Sequence, residues 1–378
     1  MLSKPSVNPE SPQSRPSAWT EHAGREWLIS LLTESLASVP KVGDVSREPH
    51  RENEQFDAIV HLELAGKPVV LLVEVKKSAY PRDVREALAR MMAFPRKQPA
   101  YANAIPLLAS SILSAGARAL LKEKNVGYFD AGGSLYLPAR HAYVFIDKPP
   151  IPEKNRGEPN IFRGRTTRVV HALLGKPDAW YRASELADVI NVAVSTVSRS
   201  FIELERMELV ETRGKGPKKE RHLTRPAVLL DAWAEIVRTD PAPPSRRYFV
   251  SGALGHEQLV NEMARMLEDA NVEHALTGEA AAQRYNPFLT SVPLARFRVE
   301  NIEQAEKALT ARKVRRVDEG ANLVLIDTPE KDELLFKQSV DGISVVSPIQ
   351  AYIDLQQLPG RAKEAAQHLR EERLGYLK

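Results

Sequence analysis

The sequence of 378 residues contains no cysteine, which excludes disulfide frameworks, thiolate zinc sites and cysteine nucleophiles. It has no apolar run of the length that a membrane helix needs, and its N-terminal segment lacks the apolar core of a signal peptide. The nine histidines show no HxxxH or HExxH spacing, and the GxSxG, Walker and GxGxxG motifs are missing. We therefore expect a soluble cytoplasmic protein without membrane contact, in which any metal chemistry would use oxygen ligands.

Composition places the chain among globular proteins, since 43% of its residues are apolar and 27% are charged. Stretches rich in proline mark the expected boundaries between domains. We predict a disordered tail over 1–17, domains over 18–147, 161–239 and 247–378, and linkers over 148–160 and 240–246.

The first predicted domain alternates helical and extended patterns. An amphipathic helix over 18–38 precedes two apolar strands, 56–64 and 69–75, which the turn Ala65-Gly66-Lys67-Pro68 joins into a hairpin. Further helices and strands follow in alternation up to residue 146, which predicts an α/β layered fold.

Two carboxylates and a lysine stand out on this hairpin. Asp57 opens the first strand, and Glu74 and Lys76 end the second, where the period of two places both on one face. Two carboxylates with the intervening backbone carbonyl suit Mg²⁺, and a neighbouring lysine suits phosphodiester hydrolysis. The alternative is that these are ordinary solvated residues of an exposed strand pair.

The segments FDAIV and VEVKK, in this order of helices and strands, resemble the PD-(D/E)XK nuclease superfamily. The resemblance implies a restriction-endonuclease-like fold with Asp57 and Glu74 as metal ligands and Lys76 as the catalytic lysine. Mg²⁺ is implied only if the site is active, and many such domains are retained for binding alone. The resemblance also implies further roles on the flanking helices: Glu26 as an auxiliary catalytic acid, and Arg82 and Arg85 as phosphate-binding residues. Phe56 stands where the family has proline.

The second predicted domain contains a helix-turn-helix pattern. A helix over 165–174 is followed by a short helix over 183–190, a turn at 191–193 and a longer helix over 194–209. On the longer helix, apolar residues occupy one face, and the first turns of the other face carry small polar residues and an arginine. These candidates for DNA contact are Ser195, Thr196, Ser198 and Arg199.

A basic hairpin follows the longer helix. Strands near 209–212 and 221–224 flank a loop, and residues 213–225 hold six basic side chains against the single acid Glu220. The predicted DNA-binding residues here are Arg213, Lys215, Lys218, Lys219 and Arg221. The arrangement resembles the winged-helix domains of bacterial transcriptional regulators. The alternatives are a solvated basic loop and a winged helix that contacts protein.

The third predicted domain has α/β or α+β character without obvious catalytic residues. The segments HALTGEAAAQRY and VSPIQAYIDLQQLPGRAKEAAQHLRE resemble the C-terminal region of AbiEi-type antitoxins, the transcriptional regulators of type IV toxin–antitoxin and abortive-infection systems. The resemblance implies binding at the protein's own promoter and a nucleotidyltransferase-like toxin as partner. ALTGEAAA also resembles the opening of nucleotidyltransferase folds. The paired metal-binding aspartates are absent, so we expect a degenerate fold without transferase activity.

Three functional hypotheses follow. The first is a DNA-binding regulator of the antitoxin type, a homodimer on double-stranded DNA, with a nuclease-like accessory domain. The second is a Mg²⁺-dependent DNA endonuclease targeted by its own winged helix. The third is a protein-binding scaffold that neutralises a partner without DNA.

Overall fold

The computed structural model describes residues 19–48, 56–92, 101–148, 160–252, 255–292, 294–310, 314–328 and 330–377. The predicted tail over 1–17 and most of the predicted linker over 148–160 lie outside these residues. The chain forms two compact units, residues 1–153 with 206–208, and residues 154–205 with 209–378. The predicted break at 240–246 falls inside the second unit.

The first unit is built on a seven-stranded sheet in the order β1-β2-β3-β4-β5-β6-β7. Its strands are β1 (Val42–Arg47), β2 (Ala58–Leu64), β3 (Lys67–Ala79), β4 (Ile105–Leu113), β5 (Gly127–Asp130), β6 (Leu135–Pro138) and β7 (Tyr143–Ile146). Its helices are α1 (Glu21–Ala37), α2 (Pro81–Met91) and α3 (Ala115–Glu123). The predicted α/β alternation is confirmed, and β1 is a strand that sequence patterning missed.

Both faces of this sheet are covered. The apolar side of α1 packs on one face, where Ile29 and Leu32 join Val60, Leu71 and Val73 in a buried cluster. Helices α2 and α3 cover the other face through a second cluster that includes Leu72, Val84 and Leu121. Burial on both faces explains why β3 reads as a continuous apolar run.

Strand β3 is longer than predicted. The apolar run suggested an end at Val75, whereas the strand continues to Ala79. Its pairing with β2 stops at Ala58↔Val73, but its parallel pairing with β4 continues to Ala79↔Leu113. Glu74 and Lys76 therefore lie within the strand, just where its antiparallel neighbour ends.

The second unit begins with a group of helices and a small sheet. Its elements are α4 (Thr167–Gly175), β8 (Trp180–Arg182), α5 (Ala183–Ile190), α6 (Val194–Arg206), β9 (Val210–Arg213), β10 (Glu220–Leu223) and α7 (Pro226–Thr239). The three strands pair antiparallel in the order β8-β10-β9. The predicted hairpin is confirmed, but α6 ends before residue 209 because Glu208 adopts φ +56° and the Leu209 amide bonds to the Leu204 carbonyl.

The remainder of the second unit contains a mixed seven-stranded sheet in the order β14-β11-β15-β13-β12-β17-β16. Its strands are β11 (Ser245–Val250), β12 (His274–Thr277), β13 (Ala295–Val299), β14 (Val314–Arg316), β15 (Leu323–Asp327), β16 (Gln338–Val340) and β17 (Ile343–Val345). Its helices are α8 (His256–Asp269), α9 (Gly278–Tyr285), α10 (Ile302–Leu309), α11 (Pro348–Leu355) and α12 (Ala362–Arg373). Over the described residues, every helix is too short or too polar to cross a bilayer.

Candidate functional sites

The carboxylate cluster of the first unit lies where β2 and β3 begin to separate. The Asp57 amide donates to the Val73 carbonyl at 2.9 Å, which holds Asp57 across from Glu74. The Asp57 Oδ2 accepts a hydrogen bond from the Val75 amide at 2.7 Å. The Lys76 Nζ lies 3.4 Å from the Glu74 Oε1, so the structure brings Asp57, Glu74 and Lys76 together.

Each carboxylate of this cluster also contacts an arginine that sequence reasoning missed. The Arg25 Nε of α1 lies 2.9 Å from the Asp57 Oδ1, and the Arg90 guanidinium of α2 pairs with the buried Glu74. Burial raises the pKa of Asp57, the Val75 amide and Arg25 oppose part of that rise, and the charge of Glu74 adds to it.

The described arrangement does not fit a resident Mg²⁺ ion. Magnesium is usually held by one or two carboxylates with waters and substrate phosphates. Here guanidinium groups occupy the positions beside both carboxylates, and a metal ion would have to displace Arg25 and Arg90.

The flanking candidates of the first unit lie apart from this cluster. The Glu26 carboxylate accepts two hydrogen bonds from Arg47 of β1, at 2.6 and 2.9 Å, and the hydrogen bonding with Arg47 lowers the pKa of Glu26. The structure therefore does not bring Glu26 to Asp57 and Glu74. Arg82 and Arg85 are exposed at the start of α2, where Arg82 pairs with Glu86 at 3.3 Å.

In the second unit, α6 has the two faces that its sequence predicts. Val197, Phe201 and Leu204 are buried. Ser195 and Arg199 are exposed, while Thr196 and Ser198 are half-buried. Asn191 ends α5 in the left-handed region at φ +51°, and this turn sets the direction in which α6 begins.

Two aliphatic side chains on α6 are exposed to solvent, which the sequence pattern did not predict. Val194 and Ile202 are 47% and 51% exposed. With Ser198 midway between them, they follow the spacing of four residues that places side chains on one helix face. The exposed face of α6 is therefore mixed, with hydroxyl, guanidinium and aliphatic groups.

The basic residues of the β9–β10 hairpin divide into two groups. Three are held by neighbours: Arg213 pairs with Glu220 at 2.7 Å and stacks on Trp180, while Lys219 and Arg221 both contact the Glu205 Oε1, at 2.9 and 3.1 Å. Burial would raise the pKa of Glu205, but hydrogen bonds from Lys219 and Arg221 outweigh it and lower the pKa.

Lys215 and Lys218 form the second group. Both are exposed, and neither forms an ion pair with any residue in the described parts of the chain. They lie at the hairpin tip, where Gly214 has φ +79° and a Cβ would come within 2.6 Å of the Lys218 carbonyl oxygen. The tip thus depends on glycine to hold two solvent-facing ammonium groups.

The segment that resembles a nucleotidyltransferase opening has its single carboxylate paired with an arginine. Glu279, in the first turn of α9, pairs with Arg296 of β13. Deeper in the unit, Arg298 forms two hydrogen bonds with Asp354, at 2.8 and 2.7 Å, and both side chains are buried. The described contacts give these acids a structural role as partners of arginines.

Comparison with known proteins bears on the C-terminal part of the chain. Residues 222–375 match a family model described as transcriptional regulator, AbiEi antitoxin, of the type IV toxin–antitoxin system. No curated protein and no solved structure matches the chain significantly. The match supports the antitoxin resemblance from the end of β10 through α12, and it does not extend to the first unit.

Proposed function

We propose that this protein is a transcriptional regulator of the antitoxin type, which binds double-stranded DNA and opposes a nucleotidyltransferase-like toxin. The family to which residues 222–375 are similar consists of transcriptional regulators that act as antitoxins of type IV systems. The DNA-binding part of the proposal rests on residues 161–239, most of which precede the matched segment.

The observation that carries the proposal is the pair of exposed lysines, Lys215 and Lys218, at the tip of the hairpin that follows α6. The order of elements from α4 to β10, with the sheet order β8-β10-β9, is what a winged helix-turn-helix requires. In such a domain the second helix of the motif enters the major groove, while the hairpin follows the sugar-phosphate backbone.

We assign the base-reading role to α6. Ser195, Ser198 and Arg199 supply hydrogen-bonding groups for base edges and phosphates, with Thr196 as a half-buried contributor. Val194 and Ile202 supply the aliphatic surface that favours the 5-methyl group of thymine.

We assign different roles to the basic residues of the hairpin. Lys215 and Lys218 contact phosphates, because their charges are exposed and no carboxylate among the described residues neutralises them. Arg213, Lys219 and Arg221 hold the hairpin against Trp180, Glu220 and Glu205. Their contribution to DNA affinity is therefore mainly the position of the hairpin.

The test is a binding measurement with a labelled duplex from upstream of the protein's own gene and a scrambled duplex of equal length. We expect tighter binding to the upstream duplex, and weaker binding to both as salt rises. Indifference to all DNA at low salt would refute the proposal and favour the protein-binding scaffold.

The proposed partners are a toxin and a second copy of the chain. Many helix-turn-helix regulators bind as symmetric dimers on paired half-sites. Analytical ultracentrifugation of the full chain, with and without DNA, tests the homodimer, and co-purification with the neighbouring gene product tests the toxin. A monomer on DNA would refute the proposed homodimer.

A Mg²⁺-dependent endonuclease is the second candidate, because Asp57, Glu74 and Lys76 lie in one cluster, but it requires Arg25 and Arg90 to leave the two carboxylates. The arginines beside both carboxylates argue against it. Plasmid cleavage with Mg²⁺ or Mn²⁺, lost in Asp57→Ala, Glu74→Ala and Lys76→Ala, would establish it. Intact plasmid under all these conditions would leave the cluster with a structural role.

A further inference from the structure

A buried arginine on α4 joins the helix-turn-helix to a loop 162 to 164 residues further along the chain. Arg168 is 8% exposed, and its guanidinium donates four hydrogen bonds. Two reach the loop: Nε to the Asp332 carboxylate at 2.5 Å, and Nη2 to the Glu330 carbonyl at 2.9 Å. Two reach the end of α5: Nη1 to the Ile190 and Asn191 carbonyls, at 3.1 and 3.2 Å.

The two carbonyls that Arg168 contacts belong to the turn that precedes α6. The last carbonyls of a helix have no partner within the helix, and a cation at this end stabilises them. Asn191 occupies the left-handed region, and α6 begins three residues later at Val194. The Arg168 guanidinium therefore helps to fix the point and the direction from which α6 starts.

The loop that holds the other side of Arg168 is itself anchored. Asp332 is buried at the start of a short helical turn, Asp332–Leu334, and the preceding Lys331 has φ +56°. The next residue, Glu333, lies 3.5 Å from Arg298, the buried partner of Asp354. The loop is thus tied into the core of the segment that matches the antitoxin family.

A second contact fixes α4 to the same segment. His171, one turn after Arg168, lies 2.6 Å from the Ser347 hydroxyl, and its ring stacks on Phe336 with centroids 4.2 Å apart. Helix α4 is therefore held at two successive turns, both times by residues of the C-terminal segment.

We infer that Arg168 and Asp332 are positioning residues for DNA binding. The loop at 330–334 holds the turn before α6 in the geometry that reads DNA, so DNA affinity depends on the segment that resembles antitoxins. This inference rests on the proposed function, since it assigns a role in the same DNA-binding site. A partner that moves the loop would change DNA affinity through Arg168.

The test uses the sign of an electrostatic effect. Removing an acid from a DNA-binding protein by itself strengthens binding, because repulsion of phosphates decreases. Asp332→Ala should instead weaken binding about tenfold, because Arg168 loses its charged partner and the turn is no longer held. Asp332→Asn keeps an acceptor and should fall between Asp332→Ala and the wild type.

Asp318→Ala is the matched control. It removes the same charge at an exposed loop position of the same segment, where the carboxylate forms no ion pair with any described residue. We expect equal or tighter DNA binding for this variant. The slope of log K against log salt should stay unchanged in both variants, because no phosphate contact is lost.

Circular dichroism and thermal unfolding establish that each variant is folded. If Asp332→Ala does not fold, Asp332→Asn is compared with Asp318→Asn: weaker DNA binding by the first and not by the second supports the inference. A folded Asp332 variant that binds DNA as tightly as the wild type, or more tightly, overturns the inference. Failure of the wild type to bind any DNA refutes the proposed function instead, so the two failures are distinct.

Discussion

Replacing Lys215 and Lys218 together with alanine should weaken DNA binding without loss of stability. Both side chains are exposed, and their ammonium groups form no ion pair within the described residues, so their removal leaves no buried partner uncompensated. Lys219 and Arg221 should stay in place on Glu205. The change therefore isolates the phosphate contacts of the hairpin tip.

The expected size follows from counterion release. Two lost phosphate contacts should reduce the magnitude of the slope of log K against log salt by about 1.8. Counted from a reference of about 1 M salt, this change in slope corresponds at about 0.15 M salt to a loss of about 30-fold in affinity, or roughly 2 kcal/mol. Extrapolated to about 1 M salt, the double variant and the wild type should bind with similar affinity.

Fluorescence anisotropy of a labelled duplex across a salt series measures both quantities. The matched control is Lys307→Ala with Lys363→Ala, which changes the net charge equally at exposed positions on α10 and α12. We expect the control to retain the slope of the wild type. Equal slopes for the hairpin variant and the wild type, or an equal loss in the control, would refute the assignment of phosphate contacts to the hairpin.

Three further predictions test other parts of the structure. Burial lowers the pKa of His171 to about 3, so the unfolded chain binds a proton below pH 6.5 that the folded state does not, and stability falls as pH decreases. Between pH 6.5 and 5, the unfolding free energy of the wild type should fall by about 2 kcal/mol more than that of His171→Gln. The same pH dependence for both proteins in urea unfolding would contradict this. Replacing thymine with deoxyuridine in a bound duplex should weaken binding by the wild type but not by a Val194→Ala, Ile202→Ala variant; equal sensitivity of both proteins would argue against methyl contacts. Gly214→Ala should weaken DNA binding more than Gly216→Ala, because both glycines have positive φ but only at Gly214 would a Cβ meet backbone, the Lys218 carbonyl oxygen at 2.6 Å.

Local patterns predicted the elements that position the candidate sites. The apolar spacing of α6 predicted one buried face, and Val197, Phe201 and Leu204 are buried on it. The period of two placed Glu74 and Lys76 on one face of β3, and their contact at 3.4 Å confirms this as well. These predictions succeeded because side-chain direction within a helix or strand follows from backbone geometry alone.

The partners of the charged residues could not be predicted in the same way. The basic residues of the hairpin look equivalent in sequence, yet Glu205 of α6 engages Lys219 and Arg221 and leaves Lys215 and Lys218 exposed. That distinction depends on how two elements pack, which spacing along the chain does not encode.

The carboxylate cluster shows the same limit at longer range. Arg25 and Arg90 lie on helices that approach β3 from separate parts of the chain, so the sequence displayed the acids without the cations beside them. The half-exposed Arg90 pairs with the buried Glu74, and this ion pair competes with the metal ligation expected of that carboxylate.

Because α4 is fixed to the C-terminal segment, the separation of the two half-sites in the DNA should be restricted. A DNA-binding domain on a flexible linker can bind half-sites at a range of separations, because the linker absorbs the difference. Arg168 and His171 remove that freedom, because both fix α4 to the C-terminal segment and Arg168 also holds the turn before α6. In the proposed dimer, insertion of a few base pairs between the two half-sites should therefore abolish cooperative binding. Cooperative binding should return only when the insertion reaches a full helical turn of DNA.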